Sequence, residues 1–93
     1  MSGTTTAERR VTICNQRGLH ARAAAKFVKT AEGFDAQVTV VKDDSEVQGT
    51  SIMGLMMLAA GPGTEIVLRA RGRQRAAALD ALAELIARKF DED

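Results

Sequence analysis

The apolar residues of this chain change period repeatedly, from every second residue to every third or fourth and back, and that switching constrains the fold more than any other feature. Val11 and Ile13 alternate with Thr12 and Cys14 across Arg10 to Asn15, the pattern of a half-buried strand. From Ala21 the spacing becomes helical, with Ala24, Phe27, Val28 and Ala31 on one stripe and Gly33 placed to stop it. Gln37 to Val41 and Glu46 to Gln48 are β-rich runs around a polar turn at Lys42–Ser45, which predicts a hairpin. Ser51 can cap a short apolar helix over Ile52–Leu58, and Gly61-Pro62-Gly63 breaks the chain before an alternating strand from Thr64 to Ala70. From about Gln74 a long helix carries Leu79, Leu82, Leu85, Ile86 and Phe90 on one side, with Glu84 and Arg88 as an i,i+4 pair. The order β-α-β-β-α-β-α predicts an α+β fold: an open-faced β-sandwich whose four-stranded antiparallel sheet carries three helices on one face.

At 93 residues there is room for a single domain, expected over residues 9–90. Residues 1–8 read as a disordered polar tail and residues 91–93 as a solvated acidic one. A net charge of +1 provides no field for nucleic acid, and an aromatic content of 3% provides no stacking platform for single strands. The one cysteine, Cys14, cannot close a disulfide within the chain, and the polar start holds no secretory core. A cytoplasmic protein without membrane insertion is the expectation. Cys14 itself reads as a small hydrophobe on a strand, and the alternating Arg69, Arg71, Arg73 and Arg75 as a solvated loop.

His20 is the only histidine, and it falls between Gly18 and the start of the first helix. A helix start presents free N–H groups and the positive end of the dipole, and Arg22 adds a permanent fork-shaped cation. A nucleophilic imidazole with fixed positive charge for the transferring oxygens is what reversible phosphoryl transfer to histidine requires. From this pattern alone, an exposed loop histidine without a task fits equally well. No carboxylate or thiolate cluster flanks His20 in sequence, so neither a metal nor a cofactor is expected.

Gly18-Leu19-His20-Ala21-Arg22 with Ala24-Ala25-Lys26-Phe27-Val28, and Ser51-Ile52-Met53-Gly54-Leu55-Met56 further on, resemble the two signature segments of HPr, the histidine-containing phosphocarrier of the bacterial phosphotransferase system. The resemblance covers roughly Val11 to Ala87. It implies a carrier, not an enzyme with turnover of its own, that takes a phosphoryl group from enzyme I and hands it to an A-type acceptor domain. His20 matches the phosphorylated histidine, with phosphate on Nδ1, and Arg22 its partner arginine. Ser51 matches the serine modified by the HPr kinase/phosphorylase, although serine is also a favoured cap without any modification. Ile52, Met53 and Met56 match a docking face shared by the partners, and a monomer is the expected state. Where the family commonly has proline, this chain has Ala23, which should leave the helix start less rigid and points to a regulatory or nitrogen-related branch. The rival reading is a docking module that is never phosphorylated and acts through the short Met-containing helix.

Overall fold

The computed structural model describes residues 5–92. Strands β1 (Thr6–Thr12), β2 (Gln37–Lys42), β3 (Ser45–Gln48) and β4 (Glu65–Arg71) form one sheet in the order β1-β4-β2-β3, with every neighbouring pair antiparallel. Helices α1 (Ala21–Glu32), α2 (Ile52–Met57) and α3 (Arg75–Ala87) complete the expected element order, followed by a short 3-10 turn at Lys89–Asp91. α3 lies along β1 and β4, while α1 packs on both α2 and α3. The fold is the predicted open-faced sandwich.

The core lies between sheet and helices. Ile66, Leu68 and Ala70 of β4 and Val38 and Val40 of β2 alternate inward, and they meet Phe27 and Val28 of α1, Leu55 of α2, and Leu79, Leu82 and Ile86 of α3. With so few aromatics, tight burial of aliphatic and alanine side chains carries the stability, each large one contributing roughly 1.5–3 kcal/mol. The outer face of the sheet is polar and paired across strands: Arg69 with Glu8 and Glu46, and Arg10 with Glu65.

Five expectations need correction. β1 begins at Thr6, so residues 6–8 belong to the sheet and not to a tail; residues 1–4 and 93 lie outside the described residues. Ala7 and Val11 of β1 pack on the core, and Arg9 between them reaches Asp80 on α3. α3 ends at Ala87, and Phe90 enters the core from a left-handed turn: Lys89, Phe90 and Asp91 have φ of 60°, 55° and 58°. Asp91 and Glu92 are therefore not a solvated tail; Asp91 pairs with Arg88 and Lys26, and Glu92 folds back towards His20. Finally, Cys14 is exposed, with Sγ 3.3 Å from the Ile86 carbonyl, and Arg69 and Arg71 sit on β4 and not in a loop.

The connection that leads into α1 is drawn tightly against the one that leads into β4. The Leu19 N–H donates to the Ala60 carbonyl at 3.0 Å, and Ile13 exchanges hydrogen bonds with Thr64 and Gly63. Gly18 permits this approach. Its φ is +64°, and a Cβ there would lie 2.4 Å from the Ala60 oxygen, whereas a Cβ at Gly61 would meet nothing within 4 Å. Gly18→Ala should cost more than about 1 kcal/mol of stability through strain and clash together, with Gly61→Ala close to neutral. Urea midpoints of the two variants test this; equal midpoints would show that the close approach is not a constraint.

Candidate functional site

The residues before α1 form a compact hydrogen-bonded loop. Gly18 N–H donates to the Asn15 carbonyl, His20 N–H to the Gly18 carbonyl, and the Asn15 side-chain amide to that same Gly18 oxygen at 2.8 Å. Asn15 is fully buried, and among the described residues its Oδ1 has no donor, a cost of about 1–3 kcal/mol accepted within the loop. These bonds deliver His20 to the N-cap of α1 in extended geometry, where its carbonyl accepts from Ala24 N–H. The amides of Ala21, Arg22 and Ala23 then open the helix with no intrahelical acceptor. Ala23 is fully buried against the core and keeps an N–H that proline would lack. The helix start is thus formed without proline.

His20 borders a shallow cleft of about 240 Å³ whose other walls are Arg17, Leu19, Ala59, Ala60 and Gly61. Arg22, on the first turn, is exposed, and among the described residues no carboxylate pairs with its guanidinium. The structure brings His20 and Arg22 together at one helix start, as their spacing requires. Among the described residues no group of three or more His, Cys, Asp or Glu is placed to hold a metal ion.

Glu92 was not legible as part of this site. Its carboxylate lies 3.4 Å from His20 Nε2 and accepts from Asn15 Nδ2 and the Arg17 N–H, each at 3.3 Å. The segment is anchored by Phe90, which is buried, and by Lys26 Nζ, which donates to the Phe90 carbonyl at 2.9 Å. Three successive left-handed residues cost roughly 1–2 kcal/mol each, which this burial and pairing offset. Burial pushes the Glu92 carboxyl up, but hydrogen bonds from Asn15 and from the Arg17 and Gln16 amides, with the charge of His20, outweigh it and hold the carboxyl below its ordinary value.

Ser51 caps α2, its Oγ accepting from Gly54 N–H at 2.9 Å. Gly54 lets the helix sit against β3, since a Cβ there would be 3.1 Å from Val47 Cβ. Ile52, Met53 and Met56 are exposed, and Met57, which their spacing does not single out, is the most exposed of the group at 79%. Leu55 and Leu58 are core. The loop leaving α2 supplies Ala59, Ala60 and Gly61 to the His20 cleft, so the chain that carries the apolar helix runs on into the wall beside the histidine.

The domain is an open-faced α+β sandwich with a histidine at a helix start, and comparison with known proteins gives its family. The family model for the PTS HPr component phosphorylation site matches residues 7–88, and the chain belongs to this family. It is 55% identical over 85 residues to the phosphocarrier protein HPr of Pseudomonas putida, covering 90% of this chain and 94% of that one. The phosphocarrier protein NPr of Shewanella violacea is 48% identical over 85 residues, covering 91% and 93%. Among solved structures, HPr from Thermoanaerobacter tengcongensis superposes with a TM-score of 0.89 at 44% identity, covering 94% of this chain and 98% of that one.

A carboxyl lowered in the folded state contributes stability that is complete above the ordinary carboxylate range and lost only as pH falls through the lowered value. Acidification should therefore release Glu92 late. In an NMR titration the Arg17 amide should move together with the Glu92 carboxyl carbon at a midpoint below that of an ordinary glutamate; a midpoint at or above the ordinary value would contradict the anchoring.

Proposed function

We propose that the chain is a stoichiometric phosphoryl carrier: His20 accepts a phosphoryl group on Nδ1 from enzyme I and passes it to an A-type acceptor domain. The observation that carries this reading is the placement of the only histidine at the N-cap of α1, two residues before Arg22, which pairs with no carboxylate among the described residues, in a member of the HPr family. The open amides of the first turn and the Arg22 guanidinium supply positive charge for the phosphoryl oxygens without movement of the backbone. The carrier needs no turnover of its own, because donor and acceptor bring the remaining chemistry. It works as a cytoplasmic monomer that offers the same face to each partner in turn. Among the described residues no helix is long and apolar enough to cross a membrane.

Regulation by serine phosphorylation fits the same face. Phosphate on Ser51 would place about two negative charges at the start of α2, next to the exposed Ile52, Met53, Met56 and Met57. An HPr kinase/phosphorylase is the implied partner. Like-charge repulsion would then slow docking of a phosphorylated donor.

The exposed methionine face also favours a second reading, a docking module that is never phosphorylated. Intact mass after incubation with phosphoenolpyruvate, magnesium and enzyme I separates the two. The carrier reading expects one acid-labile adduct on the wild type, none on His20→Ala, and transfer slowed by roughly 10²-fold in Arg22→Ala, as for loss of one charge-stabilising donor. No adduct on the wild type with active enzyme I would favour the docking module. Ser51→Asp should accept phosphate more slowly than wild type, and equal rates would remove the regulatory role.

A further inference from the structure

The methionines of this chain are gathered in one place. Met1 aside, all of them lie in α2, as Met53, Met56 and Met57. Spacings of three and four set them side by side on one helix surface. Met53 and Met57 are exposed at 72% and 79% and Met56 at 41%, while Leu55 and Leu58 of the same segment are buried. The helix ends are held without the sulfurs. Ser51 Oγ accepts from the Gly54 N–H at one end, and at the other Lys42 Nζ donates to the Leu58 carbonyl at 2.9 Å. α2 therefore keeps its place through leucine packing and two capping bonds, and it turns a patch of thioethers to solvent. The remaining sulfur among the described residues is Cys14, whose Sγ lies 3.3 Å from the Ile86 carbonyl.

A thioether is apolar, flexible and polarisable, whereas its sulfoxide is polar and chiral. We propose that Met53 and Met57, followed by Met56, form a peroxide-sensitive modification site whose conversion to sulfoxide weakens docking of the phosphoryl donor and leaves the fold and His20 intact. The inference rests on the carrier reading above, with α2 as a docking face, and goes beyond it in assigning redox control to that face.

The oxidant is hydrogen peroxide. A sulfur lone pair attacks one peroxide oxygen, the O–O bond breaks, and the proton of the transferred oxygen joins the departing hydroxide to make water. Each sulfur gives up two electrons and the peroxide takes them. A dithiol reductase of methionine sulfoxide reverses the step: two thiols become a disulfide, and the sulfoxide oxygen leaves as water. On docking, a sulfoxide oxygen would lose its water against an apolar partner surface that offers no donor in return, which is unfavourable. Phosphoryl transfer to His20 uses none of these sulfurs, so the penalty falls on association and not on chemistry.

The full chain treated with hydrogen peroxide tests this, with the oxidised positions read by peptide mass and phosphorylation by enzyme I followed at varied chain concentration. Met53 and Met57 should gain oxygen before Met56. KM for the chain should rise by about tenfold, as for loss of one well-packed contact residue, with kcat kept and the urea midpoint unchanged. Methionine sulfoxide reductase should restore KM. The combined variant Met53→Leu, Met56→Leu, Met57→Leu retains Cys14, and its KM should not respond to peroxide when compared with its own untreated sample. An unchanged KM in the oxidised wild type would overturn the proposal. So would an equal response in the leucine variant or recovery with dithiothreitol alone, each of which would move the effect to Cys14, and so would a urea midpoint that falls in step with the rate. An untreated chain that takes no phosphoryl group from active enzyme I would instead overturn the carrier reading, and this inference with it.

Discussion

The close approach of Gly18 to the Ala60 carbonyl is the contact on which the rest of the site depends. Two connections meet there, one running from β1 into α1 and the other from α2 into β4, the strand paired with β1. Because a side chain at Gly18 would collide with backbone and not with a flexible neighbour, no other residue can hold the loop at this depth. The consequence is functional. His20 is placed at the first turn of α1 with its ring beside a cleft, and the loop after α2 becomes a wall of that cleft.

Around that contact, the sheet and helices divide the work. The inward faces of β2 and β4 and the buried stripes of α1 and α3 supply a rigid base, so that the loop can carry an unsatisfied Asn15 oxygen and the segment after α3 a left-handed turn without unfolding. α2 contributes Leu55 and Leu58 to the core and turns its methionines outward. Flexible thioether side chains adapt to differently shaped partners, as the proposed relay would require of a docking face. Charge at the site is local: the helix start offers free amides and carries Arg22 in its first turn, and the Glu92 carboxylate faces His20.

The element order, the sheet architecture and the pairing of His20 with the helix start were legible because each is written in short-range periodicity and in a compact motif. β1 was read too short, since Arg9 interrupts the inward row between Ala7 and Val11 and the outward charges of Glu8 and Arg10 find their partners only across the strand on β4. Phe90 continues the spacing of Leu82 and Ile86, so periodicity extends the helix through a turn that contains no glycine to betray it. Glu92 looked like solvated charge because every one of its partners, Asn15, Arg17 and His20, lies at the far end of the sequence. Contacts of that range leave no mark on local pattern. Met57 was missed for a different reason: in a helix apolar on all sides, spacing does not reveal which side is covered.

In the proposed relay, His20 carries phosphate in the mouth of α1. Backbone amide spectra of the full chain before and after phosphorylation by enzyme I test it most directly, with the phosphorylated nitrogen assigned through its coupling to phosphorus. Coupling is expected to Nδ1 of His20, with the largest amide shifts at Ala21, Arg22 and Ala23 and smaller ones at Arg17. Coupling to Nε2, or shifts concentrated away from the start of α1, would contradict it.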